Sequence, residues 1–256
     1  MIFGWDNTKA DAASLSAGSQ IETLPGSNVQ SQHLSRKWHT AAGVKSSYLL
    51  FDMLASVACA LLAVLGTNLT PAATLRLRAS DADPTAVAGD LLDTGTIAAG
   101  VKVGYGAAYK SFTQATARYW RLDLADATVP DNLQIGRVFL GPKWQPAYSQ
   151  NWGWAVTPLD PSWIDESFGG QEYADQRPQR RQVQFTLDWL TKAEAFDNAL
   201  TLARANGIVR DVLAIHDVTE TYLSEQAVWG RMTALEPILN RHLNVWAQKY
   251  TIRERL

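Results

Sequence analysis

The stretch LLAVLGTNLTPAATLRLRASD, residues 61–81, sets two runs on either side of a turn, Gly66-Thr67-Asn68-Leu69-Thr70-Pro71. Gly, Asn and Pro this close together punctuate a chain, each through its own backbone preference. The second run, TLRLRAS (74–80), alternates with period two, so its leucines face one way and Arg76 and Arg78 the other. That is the pattern of a strand with one face on a core and one in water. It ends in an acidic loop, Ser80-Asp81-Ala82-Asp83-Pro84.

Just upstream, residues 48–65, YLLFDMLASVACALLAVL, are apolar enough to raise the question of a membrane span. Asp52 and Ser56 interrupt the run, no Lys/Arg cluster flanks it, and Gly66 ends it. Two consecutive buried strands, YLLFDML and ACALLAVLG, explain it better. ARYWRLDLAD (117–126) alternates too, with Trp120, Leu122 and Leu124 in one phase and Tyr119 in the other, and LQIGRVFLG (133–141) is a further strand. Many strands, short loops and no long helix in this half predict a β-sandwich of jelly-roll type.

The 256 residues suffice for two medium domains, and 46% hydrophobic with 19% charged residues describes a globular chain. A net charge of −2 gives no global attraction for nucleic acid or anionic lipid. One cysteine, Cys59 in an apolar run, excludes an internal disulfide or a multi-cysteine zinc site. The N-terminus lacks the basic start and apolar stretch of a signal peptide.

Residues 1–30, rich in Ser, Ala, Gly and Asn with a Leu24-Pro25-Gly26 turn, are expected to form an extended arm or loose first strand, and 31–146 the jelly roll. Residues 147–179 read as a connector, because Trp152, Trp154 and Trp163 stand among Pro146, Pro158 and Pro161. Residues 180–256 read as an α+β domain: RRQVQFTLDWL (180–190) as a strand, 191–207 as a helix, then strands within 208–218, 227–235 and 244–256. Thr191 and Glu194 have capping-box spacing, Ala195, Ala199, Leu202 and Ala203 form an apolar stripe, and Gly207 follows the last turn.

There is no G-x-S-x-G elbow, H-E-x-x-H helix, phosphate-binding G-x-x-x-x-G-K-[ST] loop or dinucleotide fingerprint. His33, His39, His216 and His242 lack ligand-like spacing. Asp165 and Glu166 beside Trp163 would suit a glycosidase, but adjacent residues rarely point into one site, so solvated loop acids are preferred and no enzyme is expected. Asp81, Asp83 and Asp90 lack EF-hand spacing; Asp81 and Asp83 remain a possible ligand rim, with no metal or cofactor expected. The glycosylation triplet Asn68-Leu69-Thr70 is discounted. The outstanding compositional signal is ten tryptophans. Trp120 and Trp189 are expected in cores, and Trp152, Trp154 and Trp163 at subunit contacts, where aromatics are enriched.

YLLFDM, then LLAVLGTNLTPAATLRLRASD, then ARYWRLDLADATVPDNLQIGRVFLG resemble, in that order, the strands of galactose-binding-like (discoidin-type) jelly rolls over about 100 residues. The remainder resembles the C-terminal part of tail-tip proteins of long-tailed bacteriophages, through RRQVQFTLDWL, the helix, the pair Trp229-Gly230 and the final TIRERL. The combined resemblance implies a distal-tail-like baseplate protein of the virion: a ring, expected to be a hexamer, that joins the tail tube to the tip and meets hub and tape-measure proteins. In such proteins the ring-forming domain commonly precedes the galactose-binding-like one, and here the order is reversed. The alternative expectation is a carbohydrate-binding module that recognises surface glycans on a host.

Overall fold

A computed structural model describes residues 1–217 and 222–256. The chain divides into two units, one of Ile2–Trp144 with Ile215–Ala227, the other of Met1, Gln145–Ala214 and Val228–Leu256.

The first unit is a β-sandwich built on two long strands. In chain order its elements are β1 (Ile2–Gly4), α1 (Thr8–Ala12), β2 (Ser14–Ala17), β3 (Trp38–His39), β4 (Ser46–Leu65), β5 (Thr74–Ser80), β6 (Leu92–Asp93), β7 (Ile97–Ala98), β8 (Ala107–Ala125), β9 (Gln134–Ile135) and β10 (Arg137–Gly141). Residues 48–65, expected as two strands, lie within one strand that two bulges bend. Asp52 pairs with Tyr119 and Val57 with Ala117, so Met53–Ser56 stand opposite Arg118 alone. Cys59 pairs with Ala115 and Leu61 with Ser111, so Phe112–Gln114 oppose Ala60. Extra residues on one strand turn it and add twist. β8 pairs along both halves of β4; β2 joins the first half of β4 and β10 the second, and β5, with β6 and β7, joins the half of β8 that faces the first half of β4. Leu49, Phe51, Leu77, Trp120 and Leu122 from one half share an apolar cluster with Leu62, Val64, Val138 and Leu140 from the other. The bent sheet therefore closes over a single core.

Residues 1–30 carry β1, α1, β2 and a 3-10 turn, and are not a loose arm. Ala10, Ala13 and Val29 lie in the sandwich core. Their polar neighbours are used inward. The Asn7 amide donates to the Val138 carbonyl at 3.1 Å and accepts from the Leu140 N–H at 2.8 Å. Gln30 Nε2 reaches the Ala10 and Ala13 carbonyls, both at 2.8 Å. The fully buried Arg137 pairs with Asp11 and donates to the Gln30 carbonyl at 2.6 Å. Polar composition read as solvent-facing thus serves buried backbone groups, which need partners.

The second unit holds β11 (Ala155–Leu159), β12 (Trp163–Glu166), β13 (Glu172–Asp175), β14 (Arg180–Leu190), α2 (Thr201–Asn206, preceded by a π-helical stretch Glu194–Leu200), β15 (Val212–Ile215), β16 (Ala227–Met232), β17 (Leu239–His242) and β18 (Val245–Glu254). Val218, in the stretch expected to contain a strand, lies outside the described residues. The sheet order is β15-β16-β18-β14-β11, with β17 on β18. The stretch 147–179 thus contributes edge strand β11 and the hairpin β12–β13. Pro158 on the edge costs the ladder little, since an edge strand need not donate on its open side. The capping box forms: the Glu194 carboxylate accepts from the Thr191 N–H at 2.9 Å, and the Thr191 hydroxyl from the Glu194 N–H at 3.2 Å. Ala195, Ala199 and Leu202 are buried.

Gly230 explains its place in the pair Trp229-Gly230. A Cβ there would lie 2.0 Å from the Arg253 carbonyl oxygen of β18. Gly230→Ala is expected to destabilise the second unit by about 2–3 kcal/mol, the range of backbone-displacing overpacking. Urea denaturation would check this, and an unchanged midpoint would contradict it.

Candidate functional site

Three surfaces concentrate side chains that packing does not consume. The first is the bulged corner of the sandwich. Arg118 clasps Asp52 through Nε at 2.7 Å and Nη2 at 2.9 Å. The Arg118 hydrogen bonds hold the Asp52 carboxyl below the ordinary carboxylate range. Asp81 accepts from the Ser56 hydroxyl at 2.8 Å and from the Arg118 N–H at 2.7 Å. Asp83 accepts from the Thr85 hydroxyl at 2.6 Å and from the Thr85 and Ala88 N–H groups, which lower it to about 2. The candidate rim residues Asp81 and Asp83 are thus both engaged in shaping the loop. No group of three His, Cys, Asp or Glu that could hold a metal occurs among the described residues.

The second surface is the outer face of β4, β8 and β5. Period two sends Tyr48, Arg121, Asp123, Arg76 and Arg78 outward together. Arg76 grips Asp93 through Nε at 2.8 Å and Nη2 at 2.5 Å. Arg78 reaches Asp123 at 2.7 Å and the Val87 carbonyl at 2.9 Å, and Arg121 lies 3.6 Å from the Tyr48 ring centre. Beside them opens a cleft of about 270 Å³ lined by Ser46, Thr74, Arg76, Arg78, Thr96 and Asp123, where Arg78 Nε is buried without a hydrogen-bond partner. The alternation in TLRLRAS shows the arginines, but their acid partners come from strands distant in sequence.

Asp93, held mainly by Arg76, and Asp83 both titrate near 2, below the ordinary 3.8. A depressed carboxylate stabilises the fold above its unfolded pKa and loses that contribution as pH falls through the folded value. The melting temperature of the protein should therefore drop between pH about 4 and 2, and less steeply for Asp93→Asn. An equal slope for the variant would contradict the assignment.

The third surface is the hairpin β12–β13. All eight strand residues are exposed, and the register pairs Trp163 with Asp175 and Asp165 with Tyr173. Gly170 at φ +79° helps close the turn, with the Ser167 N–H donating to the Gln171 carbonyl at 2.8 Å. Trp163 is 64% exposed, Ile164 67%, Tyr173 57%, and Phe168 at the tip fully exposed. Asp165 and Glu166 are neighbours on one strand, so they point to opposite faces and do not form a facing carboxylate pair. Trp152, in the turn before β11, is fully exposed, and Trp154 half-buried. Sequence reading singled out Trp163 but missed Ile164, Phe168 and Tyr173; the Gly169-Gly170 turn between WIDE and EYAD was the available signal.

Trp120 is buried as expected, but Trp189 is 55% exposed. Val183, Phe185 and Leu187 face the core, then the register of β14 against β18 shifts and Leu190 takes the next inward place. The irregularity turns Trp189 outward.

No family model and no curated protein matches the chain. Solved structures similar to about half of it include a Ruminococcus gnavus GH29 fucosidase in complex with fucose, at 14% identity and TM-score 0.43. That match covers 54% of this chain and 26% of the fucosidase. The family 32 carbohydrate-binding module of Clostridium perfringens NanJ, in complex with galactose, matches at 13% identity and TM-score 0.41, over 54% of this chain and 97% of the module. A Streptococcus pneumoniae fucose-binding module matches at 13% and 0.40, over 52% and 93%. The first unit is a β-sandwich around one core, and likenesses this distant carry no conclusion about what it binds.

Proposed function

We propose that this protein is a non-catalytic, self-assembling structural component, of the kind that forms a ring in the tail tip of a long-tailed bacteriophage, with the jelly roll as its accessory module. The observation that supports this reading is the hairpin β12–β13. A two-stranded hairpin by itself is marginal in water, and this one exposes Trp163, Ile164, Phe168 and Tyr173. Aromatic and aliphatic groups gathered on one projecting element are the composition of an interface core. The strongly exposed tryptophans Trp152, Trp163 and Trp189 all lie in the second unit, whereas Trp38, Trp120 and Trp144 are buried in the sandwich. Native mass spectrometry of the isolated protein should show a closed oligomer of fixed stoichiometry, a hexamer in the tail-ring reading. A monomer at every concentration would overturn the reading.

A second reading, glycan binding by the jelly roll, is favoured by the polar cleft. The partnerless Arg78 Nε and the hydroxyls of Ser46, Thr74 and Thr96 would suit a polyhydroxylated ligand. Calorimetric titration with galactose and with fucose tests it. Binding heat that disappears in Thr96→Val would support it, and no heat from either sugar would end it.

A further inference from the structure

The hairpin's chemistry is matched by a groove in the same unit. Along the helix that ends in α2 runs an apolar groove of about 560 Å³, walled by Phe196, Leu200 and Ala203 and, opposite, by Leu235, Pro237 and Ile238. Phe196 sits edge-on to Trp246 at 4.9 Å, and Leu235, with Ile208 and Val209 just past the helix end, is largely exposed. We propose that this groove receives the β12–β13 hairpin of a second copy of the chain. The inference rests on the assembly reading above and assigns its contact.

Charge complementarity selects the occupant. Residues 160–177 hold five acids, Asp160, Asp165, Glu166, Glu172 and Asp175, against one base, Arg177, which pairs with Asp175 at 2.8 Å. Residues 228–256 hold five basic residues against Glu236 and Glu254. Arg204 and Glu236 both line the groove itself, so the basic excess lies at its end. At its Gly207 end Arg231 donates to the Ile208 carbonyl at 3.4 Å and Arg255 to the Val209 carbonyl. The hairpin register places Trp163 and Tyr173 on one diagonal of one face, with Asp165 and Asp175 on the other. Such a face fits an apolar floor with a basic end, and its rim charges make association weaken with salt.

The test mixes two differently tagged full-length variants, Tyr173→Cys and Ala203→Cys, under oxidising conditions. The native thiol does not compete, because Cys59 is buried and burial pushes it up to about 12. Disulfide-linked pairs carrying both tags are expected, and Leu235→Asp should weaken association about tenfold or more without changing the melting temperature. Oligomers that form no mixed-tag disulfide, or that ignore Leu235→Asp, overturn the groove assignment and leave the assembly reading standing. Absence of oligomers in the wild type overturns both.

Discussion

Asp11→Leu is expected to lower the stability of the sandwich by about 3 kcal/mol, the lower end for breaking a buried ion pair. Arg137 is fully buried on β10, and Asp11 answers its charge from α1, with Asp11 Oδ2 2.9 Å from Arg137 Nη2. Asp11 is partly solvated, which moderates the loss, but the guanidinium left behind would retain the Gln30 carbonyl and lose its counter-charge. The double variant Asp11→Leu/Arg137→Met should recover most of the loss, since an apolar pair of similar volume avoids the desolvation penalty. Urea denaturation of the two single variants and the double variant gives the coupling energy. Additive effects would show that the pair does not hold residues 1–30 to the sandwich.

That pair also marks the limit of reading the chain by pattern. TLRLRAS and RRQVQFTLDWL were legible because each strand's own period reports its two faces, and β5 and β14 run over those residues. The helix was legible because Thr191, Glu194 and Gly207 are local signals. The packed N-terminus was not, because Asn7, Asp11 and Gln30 find their partners more than 100 residues away, on β10, or across a turn. The bulges escaped for a related reason. Trp120 and Trp189 share the same alternation in sequence, and only pairing with a neighbouring strand shows that β14 shifts register before Trp189. Of the candidate sites, Trp152 and Trp163 were visible by type and setting. The arginine-lined cleft and the groove were not, since strands or segments distant in sequence assemble each.

The second large effect concerns association. Replacing Trp163, Ile164, Phe168 and Tyr173 together by serine should weaken self-association about 100-fold or more, as the loss of two or more interface anchors implies. Stability should be unaffected, because none of the four is buried. Sedimentation velocity on the wild type and this variant measures that change. The wild type should sediment as an oligomer and the variant as a monomer with the same melting temperature. A wild type that sediments as a monomer, or a variant that keeps the wild-type oligomer, would contradict it.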